Sequence, residues 1–409
     1  MSNVDIYDPE IYVQGVPHEL LTRLRQETPV FFHPEPRGGR GYWAVMRYAD
    51  VDHVNRSPQL FSSNLGATQI RDPKPEELEH QRKMMLNLDP PAHSRLRRIV
   101  AKAFTPRAIG RLEAGLRARA RAAVAEVAPA GRCDFPQQLS ADLPVFALAD
   151  VMGVPSEDRR LLFHWANRVI GFQDPEYAQY DEDGKPIDPR SRRALSDMYA
   201  YAHDLAREKR RRPAEDILSA VLTAEVDGDR VSDEEFENFF FLLAVAGNET
   251  LRNAIPGGML ALMTHPSERR RLLEQPSLLP TAIEEMLRYA SPVMCFRRTA
   301  AADTELAGVS IRAGDKVVVY YASANHDETV FAEPSRFDVS RTPNDHLSFG
   351  LGPHFCLGAF LARLEMRVFF EEVLATIPDM EIDGPIERLQ SNFQSGIKHM
   401  PVRFTPRAG

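Results

Sequence analysis

Phe349-Gly350-Leu351-Gly352-Pro353-His354-Phe355-Cys356-Leu357-Gly358 is the stretch on which the reading of the whole chain turns. One cysteine sits in a glycine-bracketed loop, and an apolar segment, Ala359-Phe360-Leu361-Ala362, follows at once. Glycine adopts positive φ and lets the backbone pass close to a flat ligand. A helix starting after Gly358 aims backbone N–H groups and its positive dipole end at the sulfur, which favours the thiolate. A thiolate placed this way suits an axial ligand to iron better than one half of a disulfide. The plain alternative is a buried, inert cysteine in a glycine-rich turn. For a lone cysteine that alternative would prevail.

Composition narrows the surroundings of this loop. The chain has 409 residues, 43% of them hydrophobic, enough for a large core. With a formal net charge of −8, nothing points to nucleic acid as a global partner. Cys133, Cys295 and Cys356 are odd in number and show no Cys-x-x-Cys spacing, which argues for a reducing cytosol and against a disulfide framework or a zinc site. The N-terminus, Met1 to Asp8, lacks the basic and apolar regions of a signal peptide, and no apolar run approaches the ~20 residues of a membrane span. The reading is therefore a soluble, cytoplasmic protein.

The ten-residue stretch resembles the Phe-Gly-x-Gly-x-His-x-Cys-x-Gly haem signature of the cytochrome P450 superfamily, and every fixed position is filled. The resemblance covers essentially the whole chain. It implies a mainly α fold with small β-sheets and a long central helix over a buried haem b. It also implies a single domain, 1–409, with its β-rich N-terminal portion interwoven with the helical portion. Cys356 is then the axial ligand of the haem iron, with Phe349, Gly350 and Gly358 shaping the loop around the cofactor.

The pattern along the chain agrees with that class. Strand signals occur at Val30–Phe32, Tyr42–Val45, Lys316–Tyr320 and in the tail at Val402–Phe404. The N-terminal strands are expected to pair with Lys316–Tyr320, in a small sheet contributed from both ends of the chain. Amphipathic helices are expected at Ala108–Val127, Leu143–Met152, Ala194–Arg211 and Pro266–Glu274. Tyr177–Arg190 is polar and reads as an exposed loop.

A second informative region begins at Ser232-Asp233-Glu234-Glu235, a capped helix start. The apolar run Phe239 to Ala246 follows, then Gly247-Asn248-Glu249-Thr250. A helix reaching Leu262 would span ~45 Å at 1.5 Å per residue. A carboxylate and a hydroxyl in so apolar a helix need partners. Thr250 could bond back to the Ala246 carbonyl and Glu249 could pair with a nearby arginine. The segment also resembles the family's Ala-Gly-x-(Asp/Glu)-Thr oxygen-binding motif. That resemblance implies Thr250 and Glu249 as proton-handling groups and Gly247 as room for dioxygen. Pro256 is expected to kink the helix, with Gly257 and Gly258 permitting it.

Further roles follow from the resemblance. His93 and Arg97, four apart and so on one helical face, match the family's propionate-binding pair, and Arg298 and His354 complete that set. Glu285 and Arg288 match the Glu-x-x-Arg folding pair, with Arg336 as its third member. The basic run Arg95, Arg98, Lys102, Arg107 and Arg111 reads as a charged solvent face or as a dock for an acidic ferredoxin. Phe240, Leu243, Ala246, Val293, Met294, Phe393 and Ile397 are the expected substrate-pocket walls. Around Thr250 and in the tail Ser391–Met400 the sequence resembles the subgroup that acts on sterol side chains, methyl-branched lipids or terpenoids. The implied enzyme is a monomeric monooxygenase using O2, a hydrophobic small molecule, and NAD(P)H electrons through ferredoxin and ferredoxin reductase. A peroxide-driven peroxygenase and a non-catalytic haem sensor or electron carrier are the rival readings, and Glu249-Thr250 argues against both.

Overall fold

The β-branched run Val317-Val318-Val319 lies in the strand Lys316–Tyr320, which is buried at every position, as such residues favour on a covered pleated surface. The computed structural model describes residues 5–36, 38–178, 180, 187 and 194–407. In it, Lys316–Tyr320 is the centre of a five-stranded sheet. Tyr42–Val45 runs parallel to it with Trp43 opposite Val317, and Val30–His33 adds antiparallel outside Tyr42–Val45. Cys295–Ala300 pairs antiparallel on the other side, and Phe61–Ser62 closes that edge. Strands some 270 residues apart thus share one sheet, as the strand pattern predicts.

The tail departs from that expectation. Pro401–Arg403 pairs with Arg132–Asp134 and with Glu381–Ile382 in a separate three-stranded sheet. Alternation identifies a strand and leaves its partner to tertiary packing. The helices Asp142–Met152, Ser196–Arg211 and Pro266–Glu274 fall where the periodicity puts them. The expected helix Ala108–Val127 is instead two, Pro106–Gly110 and Glu113–Val127, because Thr105 caps an earlier turn by accepting from the Ala108 N–H at 3.2 Å. Most of the expected loop Tyr177–Arg190 lies outside the described residues.

The central helix runs Asp233–Thr264, roughly 48 Å long. Ser232 Oγ accepts from the Glu235 N–H at 3.2 Å, and the Glu235 carboxylate accepts from the Ser232 N–H at 2.9 Å, a reciprocal cap. The helix continues unbroken past Pro256. Gly257 and Gly258 have another use than permitting a kink. A Cβ at Gly257 would stand 2.8 Å from the Ala290 Cβ, and one at Gly258 would stand 3.0 Å from Met286 Sδ. The two glycines let the helix Leu279–Ala290 pack against the central helix. Among the described residues, no helix is long and apolar enough to cross a membrane.

Candidate active site

The cysteine loop is built by backbone hydrogen bonds. The Cys356 N–H donates to the Phe349 carbonyl at 2.8 Å, and the Gly350 N–H donates to that of Leu347 at 2.9 Å. Gly350 and Gly352 have φ of 66° and 64°, the left-handed region that favours glycine. A Cβ on Gly352 would come 2.5 Å from the Asn55 carbonyl oxygen, a contact with backbone that cannot move aside. A Cβ on Gly358 would meet nothing within 4 Å, so the loop leaves space there. Gly358 caps the helix Ala359–Thr376. Burial pushes the Cys356 thiol up, while the Gly358 N–H, Arg97 and Arg363 pull it down. The helix start therefore does not by itself make a thiolate. Burial outweighs it, and a metal cation, when bound, would supply the missing stabilisation.

Basic side chains gather beside this loop. The His93 and His354 rings stand 4.2 Å apart, and Arg97 Nη2 donates to the Phe355 carbonyl at 2.6 Å. Arg298 is buried; its guanidinium donates to the Arg297 carbonyl at 2.8 Å and to Asn55 Oδ1 at 3.2 Å. Burial, reinforced by Arg97, lowers His93 to about 4, and burial with Arg298 and His93 lowers His354 to about 2. Asp89 is the carboxylate that acts on His93 and Arg298. It is already engaged by the Ser62 hydroxyl and, at 2.8 Å, by the Ser63 N–H. His93 Nδ1 has no hydrogen-bond partner among the described residues. Two guanidiniums and two imidazole rings with so little anionic compensation suit a dianion. The set fits haem: His93, Arg97, Arg298 and His354 would hold its two propionates and Cys356 its iron.

On the central helix, Ala246 is exposed and Thr250 half-buried within a segment otherwise largely in the core. Thr250 Oγ1 donates to the Ala246 carbonyl at 2.9 Å, and Glu249 is ion-paired with Arg252. These are the internal partners that the residue types alone suggest, so both groups are engaged within the helix. A Cβ on Gly247 would lie 2.9 Å from Leu148 Cδ1, toward the helix Asp142–Met152.

The expected pocket walls divide. Val293 and Phe393 are half-buried, and Phe393 stacks edge-on to Phe296 at 5.3 Å. Phe240 is fully buried between Trp165 and Tyr201, at 6.2 and 5.8 Å between ring centres. Met294 belongs to the core under the sheet, and Leu243 is buried in the helical core. Phe240 and Met294 are therefore core rather than wall. Phe240 faces packed neighbours because the apolar run Phe239 to Ala246 is hydrophobic all round, and its residue types do not show which side is empty. Ile397 lines a different recess, beside Glu249.

The folding triad needs one correction. Arg288 grips Glu285 through Nε and Nη2, both at 2.8 Å, and both residues are fully buried. The third arginine is Arg341, whose Nε donates to Glu285 at 3.0 Å, with Asn344 adding a bond at 3.1 Å. The Arg336 side chain points outward to Glu333, and only its carbonyl joins, accepting from Arg288 at 3.2 Å. Nothing in the residue pattern separates two arginines five positions apart. Arg363 is a further residue the sequence did not reveal: it lies over the Phe349 ring at 4.4 Å and pairs with Glu284. Three of the five residues of the basic run have acidic partners. Arg95 pairs with Asp229 and Glu235, Arg98 with Asp227, Arg111 with Glu215, and Lys102 Nζ donates to the Glu225 carbonyl. The acids lie up to some 140 residues away, so the run is less basic in space than along the chain.

Known proteins share this architecture. The cytochrome P450 family model matches residues 183–377. The steroid C26-monooxygenase of Mycobacterium tuberculosis is 42% identical over 98% of this chain and 93% of its own length. The methyl-branched lipid omega-hydroxylase of the same organism is 44% identical over 93% and 90%. A Mycobacterium marinum cytochrome P450 solved in complex with pseudoionone superposes with a TM-score of 0.86 at 41% identity, covering 95% of this chain and 94% of that one.

Proposed function

The chain belongs to the cytochrome P450 family, and we propose that it hydroxylates the end of a branched aliphatic chain on a sterol, terpenoid or methyl-branched lipid, with electrons supplied by a ferredoxin and its reductase. It is a cytochrome P450 monooxygenase, a haem- and iron-dependent oxidoreductase. The observation that carries the reading of the site is the convergence of His93, Arg97, Arg298 and His354 beside the Cys356 loop. Haem b, held without covalent links, agrees with a sequence that has no Cys-x-x-Cys-His attachment site.

When bound, the haem supplies the reductive cleavage of dioxygen, which thiolate ligation favours. The protein's own groups do the rest. Thr250 turns from the Ala246 carbonyl to present its hydroxyl toward the open side of the helix. Glu249 leaves Arg252 to pass a proton. Ala246, Val293, Phe296 and Phe393 hold an apolar substrate and exclude water. Two relatives of similar identity oxidise, by their names, C26 of a steroid and the omega end of a branched lipid. Those names support a chain terminus as the target. Phe355 and Phe360, 39% and 57% exposed beside Cys356, support a partner docking there through an apolar patch. The working form is a cytoplasmic, single-domain monomer.

The reduced, CO-bound protein should absorb where a thiolate-ligated haem does, and a nitrogen-ligated spectrum would sink the assignment of Cys356. Turnover should require ferredoxin, reductase and NAD(P)H; efficient turnover with peroxide alone would make it a peroxygenase. Thr250→Ala should lower product formed per electron pair consumed by roughly tenfold or more. Unchanged coupling removes Thr250 from the mechanism.

A further inference from the structure

Glu284 stands one residue before Glu285 on the helix Leu279–Ala290, and the two carboxylates serve different networks. Glu285 is held by Arg288 and Arg341. Glu284 joins the surroundings of the Cys356 loop instead. Its two oxygens accept from Arg363 Nε at 2.6 Å and Nη2 at 2.7 Å, a two-pronged ion pair. Glu284 Oε2 also accepts from His346 Nε2 at 3.1 Å, while His346 Nδ1 accepts from the Ser348 N–H at 3.2 Å. Burial opposes the charge on Glu284, but Arg363 and His346 outweigh it and hold the carboxyl at about 2.

The guanidinium fixed in this way lies over the Phe349 ring, 4.4 Å from its centre. The carbonyl of the same Phe349 accepts from the Cys356 N–H at 2.8 Å. One residue therefore separates the cation from the cysteine, and Arg363 also acts directly on the sulfur. Stability alone does not explain the arrangement. Arg363 is 35% exposed and Glu284 27% exposed, and ion pairs so near solvent contribute little to folding. What the fork achieves is to keep one positive charge at one place above the ring. A fixed positive charge beside a metal site favours the state that holds one more electron, and a paired carboxylate limits the effect.

We propose that Arg363 and Glu284 are positioning residues that set the reduction potential of the iron held by Cys356, Arg363 raising it and Glu284 restraining the rise. The inference rests on the reading of Cys356 as the axial ligand. The step concerned is the gain of one electron from a one-electron donor protein, which is left oxidised by that electron. No bond forms or breaks at Arg363 or Glu284, and no proton moves there. His346 holds the Glu284 carboxylate from the side opposite the chain of Arg363, so a helix, a loop and the helix after Cys356 all contribute to where the charge stands.

Spectroelectrochemical titration of the haem-loaded enzyme tests this. Arg363→Met keeps an apolar stem beside the ring and removes the charge. It should lower the equilibrium constant for reduction about tenfold, a midpoint about 59 mV more negative for one electron. Glu284→Gln keeps the shape and leaves the guanidinium uncompensated, and it should raise the constant about threefold. Arg363→Lys, which restores the charge without the fork, should recover most of the loss; a lysine variant as low as Arg363→Met removes charge as the cause and overturns the proposal. Opposite signs for Arg363→Met and Glu284→Gln separate a field from a loosened loop, which would move both midpoints the same way. Midpoints that both stay in place, or both move in one direction, overturn the proposal. If Arg363→Met retains too little haem to titrate, the sign of the Glu284→Gln shift decides: upward supports the proposal, and no shift or a downward one overturns it. The reduced, CO-bound wild-type spectrum keeps the two readings apart. A nitrogen-ligated spectrum sinks Cys356 as the ligand and the inference with it, whereas a thiolate spectrum with unmoved midpoints sinks the inference alone.

Discussion

The loop that carries Cys356 and the helix turn that carries Glu249 and Thr250 serve one reaction but are held by different kinds of contact. The loop is held by backbone: its N–H groups are spent on loop carbonyls, two glycines occupy the left-handed region, and a Glu285–Arg288–Arg341 network, its first two members fully buried, lies in the scaffold behind it. None of those contacts has to break for the protein to work. The helix turn is held by side chains in resting partnerships, Thr250 with the Ala246 carbonyl and Glu249 with Arg252. On the proposed mechanism those partnerships open during catalysis, the rigid side holding the axial ligand and the adjustable side moving protons. Substitutions on the first should cost stability, and those on the second should cost coupling.

The largest effect should come from the buried network. Arg288→Leu leaves Glu285 charged and without its bidentate partner, a loss of about 3–5 kcal/mol, read as a shift in the denaturant midpoint and a fall in haem content. Arg341→Ala should be damaging in the same direction, whereas Arg336→Ala should leave stability and haem content unchanged, because that side chain is outside the network. A destabilised Arg336→Ala would restore Arg336 as the third member.

Acid should weaken the same rigid side next. The His18 and His326 rings stand 4.0 Å apart, and burial, with Arg288 and Arg25 nearby, lowers His18 to about 4. His326 is lowered too, by burial and then by His18 and Arg288. The unfolded imidazoles take protons at higher pH than the folded ones. The stability they contribute is present above about pH 6.5 and is lost as pH falls toward about 4. For His18 alone the loss between pH 7 and 5 is about 2 kcal/mol. Chemical denaturation at the two pH values should show it, and His18→Asn should flatten the slope. An unchanged slope in that variant would move the acid sensitivity elsewhere.

A smaller effect separates two glycines. Gly352→Ala forces a left-handed alanine, costing roughly 1–2 kcal/mol before its clash with the Asn55 carbonyl, and should reduce haem retention. Gly247→Ala meets only the end of the Leu148 side chain, which can turn away, so stability and coupling should both stay close to wild type. Loss of coupling at unchanged stability would return Gly247 to the oxygen side.

Much of this was legible along the chain. The ten-residue loop, the Ser232 cap, the strands at Tyr42–Val45 and Lys316–Tyr320, and the Glu285–Arg288 pair all depend on near neighbours or on a short period. Such features are written in local sequence because backbone dihedrals, caps and i, i+3 spacing are local. Pocket walls were less legible. Phe240 and Ala246 sit in one apolar run, yet one is sealed between Trp165 and Tyr201 and the other is exposed.

By itself the sequence determined the family, the Cys356 loop and the framework of helices and strands, since each rests on residue identity at fixed short spacing. Only the tertiary structure decided that Arg341 rather than Arg336 completes the triad, that Gly247 faces the helix Asp142–Met152, that Arg95, Arg98 and Arg111 pair with distant acids, and that Phe240 is sealed in the core. Those outcomes depend on which side chains meet across tens to hundreds of residues, and long-range packing leaves no period in a sequence from which to read them.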